Sequence, residues 1–191
     1  MLKKHFIELA MAVLMLVCFY ILSWEAAETA GRLIDVSGNI KADQVILVDA
    51  GHGGVDSGMV GIGGLKEKGI NLDIAMKLKT ILEKKGLAVV MTREEDKGLY
   101  ENGTKNMKAQ DLQNRIEQIR IYEPVLSVSI HQNSYPEAEI SGPQVFYYGS
   151  SEMSKKLAET IQAQLIADLQ PPKEREIKTG NDLYILKNSQ C

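Results

Sequence analysis

The sequence predicts an α/β domain with a mainly parallel sheet flanked by helices on both faces, preceded by an N-terminal membrane helix. Three observations predict it. A charge-free apolar run lies near the N-terminus, short β-branched runs recur after Asp43, and longer stretches with helical apolar spacing separate those runs. Strands alternating with helices make βαβ units, and such units build parallel sheets covered on both sides.

The apolar run comes first. Lys3 and Lys4 precede Leu9–Leu22, and Ile7 to Trp24 spans 18 residues, about 27 Å as a helix against a hydrocarbon core of about 30 Å. Glu8 interrupts the run near its start, and Glu25 and Glu28 follow it. Basic residues before it and acidic residues after it place the N-terminus in the cytoplasm and the rest of the chain outside. Residues 25–30 offer no clean A-x-A cleavage site, so an uncleaved signal anchor is favoured over a cleaved signal peptide. His5 falls in the cytoplasmic flank. This divides the chain into an anchor over residues 1–24, a tether over 25–43 containing Gly31 and Gly38, and a catalytic-type domain over 44–191.

Within that domain Val45–Val48 is a continuous apolar strand of the kind buried on both faces. Ile70, Ile74, Leu78, Ile81 and Leu82 share one helical face, and Lys84-Lys85-Gly86 stops that helix. Leu87–Met91 is the next strand. Leu112, Ile116 and Ile119 mark a second helix ending before Pro124, and Val125–Ile130 and Gln144–Tyr148 are strands again. Met153, Leu157, Ile161, Leu165 and Leu169 form a third helical stripe closed by Pro171-Pro172. No strand is expected after it, only a polar loop and Leu183–Leu186, so the domain is expected to lack its final strand.

Composition narrows the function. Of 191 residues, 45% are hydrophobic and 25% charged, with a net charge of −3. That near balance argues against nucleic acid as a partner, and the apolar content argues against a disordered chain. Two cysteines, Cys18 and Cys191, make no disulfide framework and no multi-cysteine zinc site.

The chemistry-bearing residues cluster at one expected edge. Asp49-Ala50-Gly51-His52-Gly53-Gly54 follows the first strand directly, and ligands of open parallel sheets bind at the carboxyl ends of strands. Neither a P-loop nor a dinucleotide fingerprint fits the glycines. His131 ends the strand Val125–Ile130, and Glu67 opens the intervening helix. A strand-end histidine is commonly structural. Two imidazoles and one carboxylate, however, are also the ligand set of many catalytic zinc sites that leave a fourth position for water. The polar stretch Arg93–Lys108 reads either as a groove wall or as a solvated face, and Arg115, turned away from the apolar stripe, reads as surface or pairing.

Residues Val45–Gly58 (VILVDAGHGGVDSG), Glu67 fifteen positions after His52, and Ser127–Ser134 (SVSIHQNS) together resemble the zinc-dependent N-acetylmuramoyl-L-alanine amidases of the Amidase_3 family. Thr92–Tyr100 and Leu183–Ser189 look like its CwlD branch of sporulation amidases. The resemblance implies one zinc per chain held by His52, Glu67 and His131. It implies peptidoglycan as the substrate partner, cleaved between N-acetylmuramic acid and L-alanine during spore-cortex maturation, with the cytoplasmic membrane as the other partner. Asp49 then supports the site from behind. Asn133 becomes a candidate substrate-binding donor, with a turn-forming role as the alternative. The family's general-base Glu is expected beyond Cys191, which supports a second reading, a non-catalytic, membrane-anchored peptidoglycan-binding remnant; a different zinc amidohydrolase such as a carboxypeptidase is a third.

The charge asymmetry around the apolar run has a direct test. Protease added to intact protoplasts is expected to degrade the domain after Asp43, and full protection within a sealed membrane would reverse the assigned orientation.

Overall fold

The computed structural model describes residues 45–134 and 140–189. The anchor, the tether, Cys18 and Cys191 lie outside the described residues. Among the described residues, no helix is long and apolar enough to cross a membrane.

The elements run β1 (Val45–Ala50), a 3-10 turn (Ile62–Gly64), α1 (Glu67–Lys84), β2 (Ala88–Met91), α2 (Met107–Tyr122), β3 (Leu126–Ile130), β4 (Phe146–Tyr147), α3 (Glu152–Leu169), β5 (Lys178–Thr179) and α4 (Tyr184–Asn188). Strands β2, β1 and β3 form a parallel sheet in that order, with Val48 opposite Met91 and Ala50 opposite Ile130. Every residue of β1 is buried. Because successive side chains of a strand point to opposite faces, Ile46, Val48 and Ala50 pack with Ala75 of α1 and Met91, while Leu47 packs with Ile116 and Ile119 of α2 and with Ile185 of α4. The predicted two-sided strand is thus the centre of a three-layer domain.

Two expected apolar stripes are buried only in part. On α1 the buried positions are Glu67, Asn71 and Ala75, with Leu72, Met76, Leu78 and Leu82 packed beside them. Ile74 and Ile81 face outward, Ile81 at 53% exposure. Apolar residues surround much of this helix, and the small side chain of Ala75 lets that face approach the sheet. On α3 the buried pair is Ala158 and Gln162, while Met153 is 79% exposed. Gln162 is the anchor: its side chain accepts from Val145 N–H at 2.8 Å and donates to the carbonyls of Pro143 (3.1 Å) and Arg175 (2.7 Å). Those partners lie beside β4, which pairs only over Phe146–Tyr147, and with β5 rather than with the main sheet. Lys178–Thr179 therefore form a short parallel strand after α3, within the stretch expected to be only loop, and Leu183–Leu186 leads into α4.

Helix ends follow local chemistry. Asn106 caps α2 by accepting from Ala109 N–H at 3.1 Å, and Ser151 caps α3 by accepting from Ser154 N–H at 3.1 Å. Glu123, directly before Pro124, closes α2 in a left-handed conformation (φ 40°).

One polar knot ties sheet to helix. Asp49 is buried on the α2 side of β1, where its carboxylate accepts from Thr92 and Ser129 hydroxyls and pairs with the guanidinium of Arg115. Arg115 is fully buried rather than at the surface, and pairs also with Asp111 at 2.6 Å. Burial opposes ionisation of Asp49, but Arg115 and the hydroxyls outweigh it and hold the carboxyl below its ordinary range. Burial likewise opposes the Arg115 charge, which Asp49 and Asp111 restore and strengthen.

Ionised Asp49 therefore contributes stability above its unfolded value near 3.8 that is lost as pH falls through the lower folded value. In Arg115→Leu the sign reverses, because a buried carboxylate without its cation favours the proton. The variant is expected to lose about 3–5 kcal/mol at pH 7 and much less near pH 4.5, measured by urea unfolding. An equal deficit at both values would contradict this account.

Candidate metal centre

The carboxyl ends of β1 and β3 bring two histidines to the start of α1. His52 follows Gly51 in the loop after β1, and its backbone is left-handed (φ 62°), a conformation that costs a non-glycine residue on the order of 1–2 kcal/mol. Arg115 holds it there by donating to the His52 carbonyl at 2.8 Å. His131 follows the last residue of β3, and the two rings meet edge to face with centroids 4.9 Å apart. The Gly58–Gly64 loop then returns the chain to Glu67.

Glu67 lies between them. Its Oε1 is 3.2 Å from His52 Nε2 and 3.2 Å from His131 Nδ1. Ligand atoms from all three residues lie within 4.8 Å of one another. Two glycines make room: a Cβ on Gly51 would stand 2.4 Å from His131 Cε1 and Nε2, and one on Gly58 (φ 64°) would stand 2.6 Å from Glu67 Oε2.

Hydrogen bonds set the charges. Burial disfavours the Glu67 carboxylate, but Met59 N–H (2.8 Å), Gln132 N–H (2.9 Å) and the Asn71 amide (3.3 Å) donate to it and, with His52, hold its carboxyl below the ordinary range. Asp56 Oδ2 lies 2.9 Å from His52 Nδ1. Burial raises the Asp56 carboxyl, yet bonds from His52, Lys108 and Gly58 N–H lower it to about 2. An ionised carboxylate only accepts, so His52 Nδ1 carries a proton toward Asp56 and Nε2 is the ring atom that faces Glu67. The donor set of two imidazoles and one carboxylate fits zinc.

Sequence reasoning missed what supports this arrangement. Arg93 is buried, and donates to the carbonyls of Ala50 (2.9 Å), Gly51 (3.0 Å), Lys68 (2.7 Å) and Glu95 (3.1 Å). The polar stretch that it begins wraps the His52 loop. Asp96 accepts from Gly54 N–H at 3.0 Å and pairs with Lys68 at 2.7 Å, the Tyr100 hydroxyl accepts from Val55 N–H at 2.8 Å, and Lys108 pairs with Asp56 at 2.9 Å. The one local signal was Asp111 four residues before Arg115, a spacing that puts both on one helix face. Asn133 is exposed in the coil after β3, with no side-chain hydrogen bond among the described residues.

A cavity of about 140 Å³ adjoins the histidines, lined in part by Asp56, Lys108, Leu112 and Ile185. Each carboxylate lining it is held by partners: Asp49 as above, Asp56 by His52 and Lys108, and Asp111 by Arg115 and Leu99 N–H. A larger cavity of about 400 Å³ between α2 and α4 contains none of the three converging residues, so size does not mark the chemistry here.

Residues 46–191 match the N-acetylmuramoyl-L-alanine amidase family. The chain is 39% identical over 148 residues to the germination-specific N-acetylmuramoyl-L-alanine amidase of Bacillus subtilis, a match covering 76% of this chain and 62% of that protein. It is 34% identical over 149 residues to the B. subtilis amidase LytC, covering 77% of this chain and 27% of that protein. It thus spans about three-fifths of the first relative's length and about a quarter of the second's. Among solved structures it is similar to the CwlD amidase from Clostridioides difficile in complex with the GerS lipoprotein (TM-score 0.74, 35% identity, 78% of each chain covered). It is also similar to the amidase AmiC2 of Nostoc punctiforme (TM-score 0.63, 31% identity, 76% of this chain and 73% of that one covered). With its parallel sheet, its strand-end histidines and this match over most of its length, the chain belongs to the N-acetylmuramoyl-L-alanine amidase family.

Proposed function

We propose that the chain is a zinc-dependent peptidoglycan hydrolase that cleaves the amide between N-acetylmuramic acid and the L-alanine of the stem peptide. The observation that carries this reading is the convergence of His52, Glu67 and His131 within 4.8 Å at the carboxyl edge of the sheet, in a chain of this family. The likeness to a germination-specific amidase and to CwlD supports a role in spore-cortex maturation. The charge pattern around Ile7–Trp24 supports anchoring on the outer side of the cytoplasmic membrane. Because CwlD was solved with a lipoprotein, the reading includes a protein partner as well as peptidoglycan.

The chemistry that zinc supplies when bound is Lewis acidity toward a scissile carbonyl and a water molecule. The residues of this chain do the rest. His52 Nε2, Glu67 and His131 would hold the ion. Asp56 keeps the proton of His52 on Nδ1, so that Nε2 remains a ligand. The backbone N–H groups of Met59 and Gln132 keep Glu67 anionic while it is buried. Leu112 and Ile185 give the adjoining cavity an apolar wall that excludes water from one side. Asn133 is free to donate to a substrate carbonyl or a sugar substituent.

A second reading, a peptidoglycan-binding protein without hydrolysis, is favoured by one observation: every carboxylate lining the 140 Å³ cavity is already engaged, which leaves none there ready to take a proton.

Two measurements test these readings. Metal analysis of the purified chain is expected to find about one zinc per chain, strongly reduced in His131→Ala, and equal zinc in the two would sink the ligand assignment. Digestion of purified peptidoglycan is expected to release new alanine amino termini. New reducing ends would show a different bond cleaved, and no products alongside retained binding would favour the second reading.

A further inference from the structure

We infer that Lys108, acting through Asp56, is a positioning residue that sets the zinc affinity of the centre by holding the His52 ring; this rests on the zinc reading above. The three groups form one chain of contacts. Lys108 Nζ lies 2.9 Å from Asp56 Oδ1, and Asp56 Oδ2 lies 2.9 Å from His52 Nδ1. Asp56 thus divides its two oxygens between the helix and the histidine, with Gly58 N–H as a weaker third donor at 3.3 Å.

The chain of contacts links elements that no backbone pairing joins. Lys108 stands in the first turn of α2, whereas Asp56 and His52 belong to the loop after β1. Gly53 and Asp56 close that loop through two mutual backbone hydrogen bonds of 3.0 and 3.1 Å, which set the Asp56 backbone, and the loop's own backbone donor to its carboxylate is the longer contact from Gly58 N–H. Lys108 adds a shorter contact to the same oxygen from outside the loop. Partners of metal-ligating histidines fix tautomer and ring orientation, and their loss typically costs 10- to 100-fold in metal affinity.

The sign of the effect separates positioning from plain electrostatics. Lys108 is a cation close to a cation site, so deleting its charge would tighten zinc binding if Coulomb repulsion were its only influence. Positioning predicts the opposite. Lys108 is also about 70% exposed, and an ion pair that open contributes little to folding, so its variants are expected to fold.

The test is zinc titration of the full 191-residue chain in detergent, in competition with a chromophoric chelator. Asp56→Asn is expected to weaken zinc binding about 10- to 100-fold and Lys108→Met at least about threefold, while Lys108→Arg restores most of the loss. Affinity in Lys108→Met equal to or tighter than wild type would overturn the inference, as would a Lys108→Arg chain no better than Lys108→Met. A wild-type chain that binds no zinc would instead overturn the proposed function on which the inference rests.

Discussion

The buried carboxylate of Asp49 is the point on which the rest of the structure depends. It sits near the carboxyl end of the central strand and gathers one partner from each neighbour: Thr92 just past β2, Ser129 on β3 and Arg115 on α2. Three strands and a helix are thereby held at the level where the histidines emerge. A buried ion pair is seldom more stabilising than well-packed apolar residues of the same volume. What it contributes here is direction, because the guanidinium that meets Asp49 also donates to the carbonyls of Ala50 and His52. Arg93 repeats the device from the other side on Ala50 and Gly51. Two arginines thus satisfy the carbonyls of a loop that has left the sheet ladder, a need that every buried backbone segment has.

That pinning is what makes a strained loop tenable. His52 is left-handed without being glycine, Gly51 cannot carry a side chain without striking His131, and Gly58 cannot carry one without striking Glu67. The backbone is therefore shaped around the three donor groups. Preorganisation of this kind lowers the cost of bringing charged and polar groups together at the moment of binding. The polar wrap from Arg93 to Lys108 completes it, since Asp96, Tyr100 and Lys108 each grip the His52 loop from outside.

Away from the site the packing is looser. Helix α3 buries Ala158 and Gln162 and leaves Met153 and Leu169 exposed, and β4 with β5 forms a ladder separate from the main sheet. Gln162 organises this region through three backbone partners, a case in which amide hydrogen bonding rather than apolar area locates a helix.

Read alone, the sequence determined the α/β class, the central strand buried on both faces, and the helices and strands as far as Ile130, and it pointed to the three residues that the fold brings together. Each carries a local signal: a continuous apolar run, a 3.6-residue period, or a donor residue at the end of a strand or the start of a helix. It also marked the family, because that motif spacing is local in the same sense. Only the tertiary structure decided that Ile81 faces outward while Asn71 is buried, that Arg115 lies in the core, that Lys178–Thr179 pair with β4, and that Lys108 reaches Asp56. The physical reason is common to all four. Periodicity shows which residues share a helix face but not which part of that face another element covers. Contacts such as Arg115 with Asp49, 66 residues apart, form only when the folded chain brings distant backbone and side-chain groups together, and so leave no pattern in neighbouring residues.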